Sequence, residues 1–203
     1  IFEGDFMKVY DLANEMLKDF EEVDNYGLMK ANEILSHSYS EIFQDKKALQ
    51  YAKKAFEISK NIGDDYSEAL YLCLSVCSFL NNLNQHEDML TYTDELSQLI
   101  EKEKTRNTDR ELDYYRSMQH AYAINYYISK NDLEQAWEEV KETQKYENVE
   151  LDGIDTQLRN MMIARYYVAS GIPETALSYI SEIDSIAPLL YLQEQSNVLH
   201  QIG

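Results

Sequence analysis

Apolar residues recur along the chain at steps of three and four, the spacing that puts side chains on one face of an α-helix. No stretch alternates apolar and polar residues as a half-buried strand would. The pattern predicts helices over 5–19, 24–43, 46–62, 65–81, 85–103, 108–129, 132–146, 153–170, 173–184 and 188–201. Asp45, Asp64 or Asp65, and Asn131 stand where helix N-caps belong, since a short polar side chain can accept from a free amide of the first turn. Gly171 suits a helix end, and Pro173 suits the first turn of the next helix.

A longer period lies over the helical one. Tyr39, Leu80, Tyr127 and Tyr167 each precede Ala48, Met89, Ala136 and Ala176 by nine residues, and the later markers are 41, 47 and 40 residues apart. Self-similarity at this period predicts helix pairs stacked as a solenoid. The fold expected is all-α: antiparallel helix pairs forming one array over 1–203. Its units are 1–22 (the second helix of a truncated repeat), 23–63, 64–104, 105–147, 148–187 and 188–203 (the first helix of another). A solenoid needs polar end caps, and Leu189–Leu192 are apolar, so a piece of a longer protein is expected.

The markers carry a family resemblance. The first full repeat contributes Asn32, Leu35, Ser36 and Tyr39, then Ala48, Ala52 and Ala55; the second, Cys73, Val76, Cys77 and Leu80, then Met89, Thr93 and Leu96. The third contributes His120, Ala123, Ile124 and Tyr127, then Ala136, Val140 and Thr143; the fourth, Asn160, Ile163, Ala164 and Tyr167, then Ala176, Ile180, Ile183 and Pro188. This resembles the tetratricopeptide-repeat (TPR) family across essentially the whole chain. Small residues at the helix crossing let the backbones approach, and an aromatic fills the space beside them. Met89 and Ile124 depart from that rule, and the repeats run longer than usual. The resemblance implies a right-handed α-α superhelix. The longer repeats are similar to those of bacterial signalling proteins, in which such an array precedes a sensor histidine kinase or a helix-turn-helix output domain.

In that family the concave groove receives a peptide or partner helix. Carried over by position, its lining would be Lys30, Glu33 and His37; Tyr71, Leu74, Ser78 and Asn82; Met118, Ala121, Asn125 and Ser129; Leu158, Met161 and Arg165; and Asn197 and His200. Asn125 and Arg165 are the strongest of these, because an amide both donates and accepts and a guanidinium binds a carboxylate bidentately. The family's lysine and asparagine carboxylate clamp is not assembled within any repeat.

Composition narrows the function further. A net charge of −19 speaks against direct contact with nucleic acid or an anionic membrane. His37, His86, His120 and His200 form no metal-ligand spacing with one another or with cysteine. Cys73 and Cys77 share a helix face and read as small buried packing residues. His120 likewise falls on a packing position. Of the consecutive tyrosines Tyr114-Tyr115, Tyr126-Tyr127 and Tyr166-Tyr167, one member of each is expected inside and the other nearer the surface. No catalytic motif, phosphate loop or cofactor site is present.

The function expected is a non-enzymatic module for a protein, a peptide or a neighbouring domain of the same chain, serving as the regulatory segment of a bacterial signalling protein. The alternative is a scaffold or dimerisation spacer, and a homodimer stays open. A histidine kinase outside this segment is compatible with either. A sensor role implies the periplasm, otherwise the cytoplasm.

Overall fold

The structure, a computed structural model, describes residues 3–20, 24–63, 65–104, 108–146 and 153–180. Among them every regular element is a helix: α1 (Glu3–Phe20), α2 (Asn25–Glu41), α3 (Asp45–Ser59), α4 (Ser67–Asn82), α5 (His86–Glu103), α6 (Asp109–Ser129), α7 (Leu133–Gln144), α8 (Gly153–Ala169) and α9 (Pro173–Ile180). The helix expected over 188–201, Leu189–Leu192, Asn197 and His200 lie outside the described residues.

The chain divides into two compact units, 1–106 and 107–203. In the first, each helix from α1 to α5 packs on the next. In the second, α6 packs on α7 and α8, and α8 packs on α7 and α9.

One turn is built four times, and it accounts for the invariant nine-residue spacing. The residue four after each marker, Phe43, Asn84, Asn131 and Gly171, has a positive φ of 58°, 55°, 57° and 74°. Its amide donates to the carbonyl one residue past the marker: Ser40, Asn81, Ile128 and Val168, at 2.9–3.0 Å. The next residue, Gln44, Gln85, Asp132 or Ile172, donates to the marker carbonyl at 2.8–2.9 Å. Those two bonds form the Schellman closure of a helix. The same residue then offers its carbonyl to Ala48, Met89, Ala136 or Ala176, at 3.0–3.4 Å, opening the second helix. A single residue thus ends one helix and begins the next.

This turn overrides two expected caps. Asn131 is the left-handed closing residue of α6, and the side chain of Asp132 caps α7 by accepting from the Gln135 amide at 3.1 Å. Asp45 is the first residue inside α3, and Gln44 before it makes no side-chain cap. Asp65 does serve near its expected place, its Oδ1 accepting from Ser67 N at 2.9 Å.

All four packing markers, Ala48, Met89, Ala136 and Ala176, are fully buried. Cys73 and Cys77 are buried too. The Cys73 Sγ donates to the Tyr92 carbonyl, and the neighbouring Cys77 thiol and burial both push its pKa up. A thiol held protonated in this way is a packing group and a poor nucleophile. His120 is fixed between helices, with Nδ1 2.7 Å from Glu139 Oε2 and its ring stacked on Tyr146.

The tyrosine pairs differ from expectation. Both members of each are half-buried and meet edge to face, with centroids 4.8, 5.1 and 5.3 Å apart. Trp137 explains the last pair, since it stacks on Tyr166 at 5.4 Å and meets the edge of Tyr167 at 6.4 Å, beside a core of Ile124, Val140 and Ile163. One large aromatic between helices meets both neighbours, and Tyr167 in turn stacks on Tyr179 at 5.7 Å.

Candidate functional site

Residues 30, 33 and 37 of α2 share one face because they lie three and four apart. Glu68 and Tyr71 of α4 are likewise three apart. The fold brings these faces together through long side chains. Lys30 Nζ donates to Glu33 Oε2 and to Glu68 Oε2, each at 2.9 Å. His37 Nε2 and the Tyr71 hydroxyl share a hydrogen bond of 3.0 Å, and their rings stack at 6.3 Å.

Burial alone would pull the Lys30 pKa down, but the hydrogen bonds to Glu68 and Glu33 outweigh it and hold the pKa above the usual lysine value. The Tyr71 phenol is raised as well, first by burial and then by the Glu33 carboxylate. Both groups therefore keep their protons at neutral pH. His37 and Tyr71 are exposed, with an aromatic face and a polar edge available to a ligand.

Three residues expected to line a groove, Lys30, His37 and Tyr71, thus form one cluster. Asn82 is exposed at the last turn of α4. The second unit places its residues differently. Met118 is fully buried and Met161 is 1% exposed, so both are core residues and correct the groove assignment. Asn125 is buried on α6, and Arg165 is half-buried on α8. The physical reason is spacing: α6 packs directly on α8, and Tyr114 Oη donates to Asp155 Oδ2 between them at 2.7 Å. In the first unit, long polar side chains bridge α2 to α4 instead.

Sequence reasoning missed Glu68. The Lys30–Glu33 pair is readable from its spacing, whereas Glu68 lies 38 residues away and enters only through the fold. Among the described residues no three His, Cys, Asp or Glu side chains are placed to hold a metal. No described helix is long and apolar enough to cross a membrane. The cluster can bind through charge, hydrogen bonds and ring faces, but a lysine locked between two carboxylates is poorly placed as a base.

No protein-family model and no curated protein matches the chain. Among solved structures, the crystal structure of BtubC (BKLC) from P. vanneervenii is similar to it, with a TM-score of 0.65 and 17% sequence identity over 97% of this chain and 76% of that one. At that identity the likeness shows a shared all-helical fold and nothing of function.

Proposed function

We propose that the chain is a non-enzymatic TPR module that binds a peptide or protein partner across the α2–α4 face, as the regulatory segment of a bacterial signal-transduction or transcription-regulatory protein. The observation that carries this is the exposed His37–Tyr71 pair beside the Lys30–Glu68 bridge. An extended ligand laid across two helices meets donors, acceptors and a ring face without needing a closed pocket. The turn built four times supports the repeat reading. In a right-handed superhelix of such hairpins, a bound partner would bias curvature, and with it an adjoining output domain.

Calorimetry against a peptide library tests the proposal. His37→Ala and Tyr71→Ala should each weaken the best binder roughly tenfold or more. Asn125→Ala and Arg165→Ala should weaken it less. Equal binding in all four variants would place the site elsewhere. A dimer in sedimentation with no peptide bound by any variant would favour a scaffold.

A further inference from the structure

A second cleft lies on the other side of α2. Leu28 and Asn32 fall about 140–180° around the helix from Lys30 and His37 at about 100° per residue, so the two sites use different faces. Leu17 of α1, Leu28 of α2 and Ile58 of α3 line an open cleft of about 690 Å³. Lys18 of α1 and Lys53 and Lys54 of α3 line it as well. The volume is within the ~300–1,000 Å³ range of binding clefts.

The charge here runs against the rest of the chain, which is −19 overall. Several other lysines are committed to carboxylates, Lys30 to Glu33 and Glu68, Lys60 to Glu57 and Glu95, Lys141 to Glu138 and Lys145 to Glu142, while Lys47 and Lys102 lie over tyrosine rings away from this cleft. Among the described residues, Lys18, Lys53 and Lys54 make no such pair. Lys53 sits over the Tyr92 ring at 5.2 Å and Lys54 over Tyr51 at 5.1 Å, which orients the ammonium groups without neutralising them. Glu57 is the one acid in the lining, and Lys60 engages it at 2.7 Å. The amides of Asn14 and Asn32 are spent on the Tyr10 and Leu28 carbonyls of their own helices. What the cleft offers a ligand is an apolar floor and cations.

We propose that this cleft docks an acidic amphipathic helix of a partner protein, apolar side chains on Leu17, Leu28 and Ile58 and carboxylates against Lys18, Lys53 and Lys54. The cleft is open, with half-buried Leu17, Leu28 and Ile58 and exposed Lys18 and Lys54 in its lining, which matches a segment with apolar residues at i, i+3, i+4 and i+7 and acids flanking them. Few proteins of this charge would attract an acidic segment; here the attraction is local, and it is screened within about a Debye length.

The test uses the whole chain and calorimetry with an unlabelled peptide of about 18 residues, leucine on one helical face and glutamate elsewhere. The comparison peptide has lysine in place of glutamate, and dodecanoate is the small-molecule arm. The acidic peptide should bind in a way that depends on Lys18, Lys53 and Lys54, whereas any association of the lysine peptide with the chain of net charge −19 should not respond to substitution of those lysines. Raising salt from about 50 to about 300 mM should weaken binding several-fold. Lys53→Glu/Lys54→Glu should reduce affinity roughly tenfold or more, and Lys46→Glu/Lys47→Glu should not. Lys18→Glu, on a different helix, should repeat the loss, so a folding defect in the double variant would not obscure the result. Absence of acidic-peptide binding, or no loss of it in the Lys18 and Lys53/Lys54 variants, would overturn the proposal. Dodecanoate binding without peptide binding would overturn the helical occupant. His37→Ala should leave this binding unchanged, which separates its failure from that of the α2–α4 site.

Discussion

Tyr39 and Ala48 are tied through one residue, Gln44, whose amide donates to the Tyr39 carbonyl at 2.9 Å and whose carbonyl accepts from the Ala48 amide at 3.0 Å. Inserting or deleting a residue between them would break either the helix closure or the helix start. The spacing of nine is therefore a backbone requirement, and the small side chain at its far end is a separate packing requirement.

The first prediction concerns that turn. Phe43 occupies the left-handed position that the later turns give to Asn or Gly, at φ 58° and with 61% of its surface exposed. A bulky L-residue there carries a strain of about 1–2 kcal/mol. Phe43→Asn should raise stability by about 0.5–1 kcal/mol in urea denaturation, because asparagine tolerates the conformation. Gly171→Ala, at φ 74°, should lower it. A loss of stability in Phe43→Asn would mean that the aromatic packs in solution against something that repays the strain.

Gly27 tests packing against propensity. A Cβ at this buried position would lie 2.6 Å from Cγ of Phe20, near the stem of that ring. Alanine favours a helix interior over glycine by about 1 kcal/mol, while overpacking costs about 1–3 kcal/mol. The clash should win, giving a lower midpoint for Gly27→Ala in chemical denaturation. A higher midpoint would show that α1 can move away from α2 at little cost.

Ala136 and Ala176 are both fully buried at the start of a second helix. Ala136→Phe or Ala176→Phe should destabilise by about 1–3 kcal/mol or more, seen as a lowered thermal midpoint. An unchanged melt for either would contradict close helix crossing there.

Glu103, 1% exposed at the end of α5, accepts from Tyr66 N just before α4 at 2.6 Å. A hydrogen bond to a charged group contributes about 1.5–3 kcal/mol. Glu103→Ala should lose roughly that amount, and Glu103→Gln, which keeps an acceptor, should lose less. Hydrogen exchange at the first turn of α4 provides a local readout, and unchanged protection there would remove the bond from the account.

The sequence by itself determined the helices of the described residues, their boundaries there to within a few residues, and the four buried markers, because these follow from local periodicity and from turns closed within nine residues. It also placed Cys73, Cys77 and His120 in packing roles, since each falls on a helix face already defined by its neighbours. Tertiary structure decided the rest. Asn131 became a helix terminator rather than a cap because two backbone bonds hold its left-handed turn. Met118 and Met161 became core because α6 and α8 pack directly, whereas the bridge from Lys30 to Glu68 keeps a polar face between α2 and α4. Lys18, Lys53 and Lys54 became one rim because α1 and α3 flank α2, a proximity that no short-range spacing encodes.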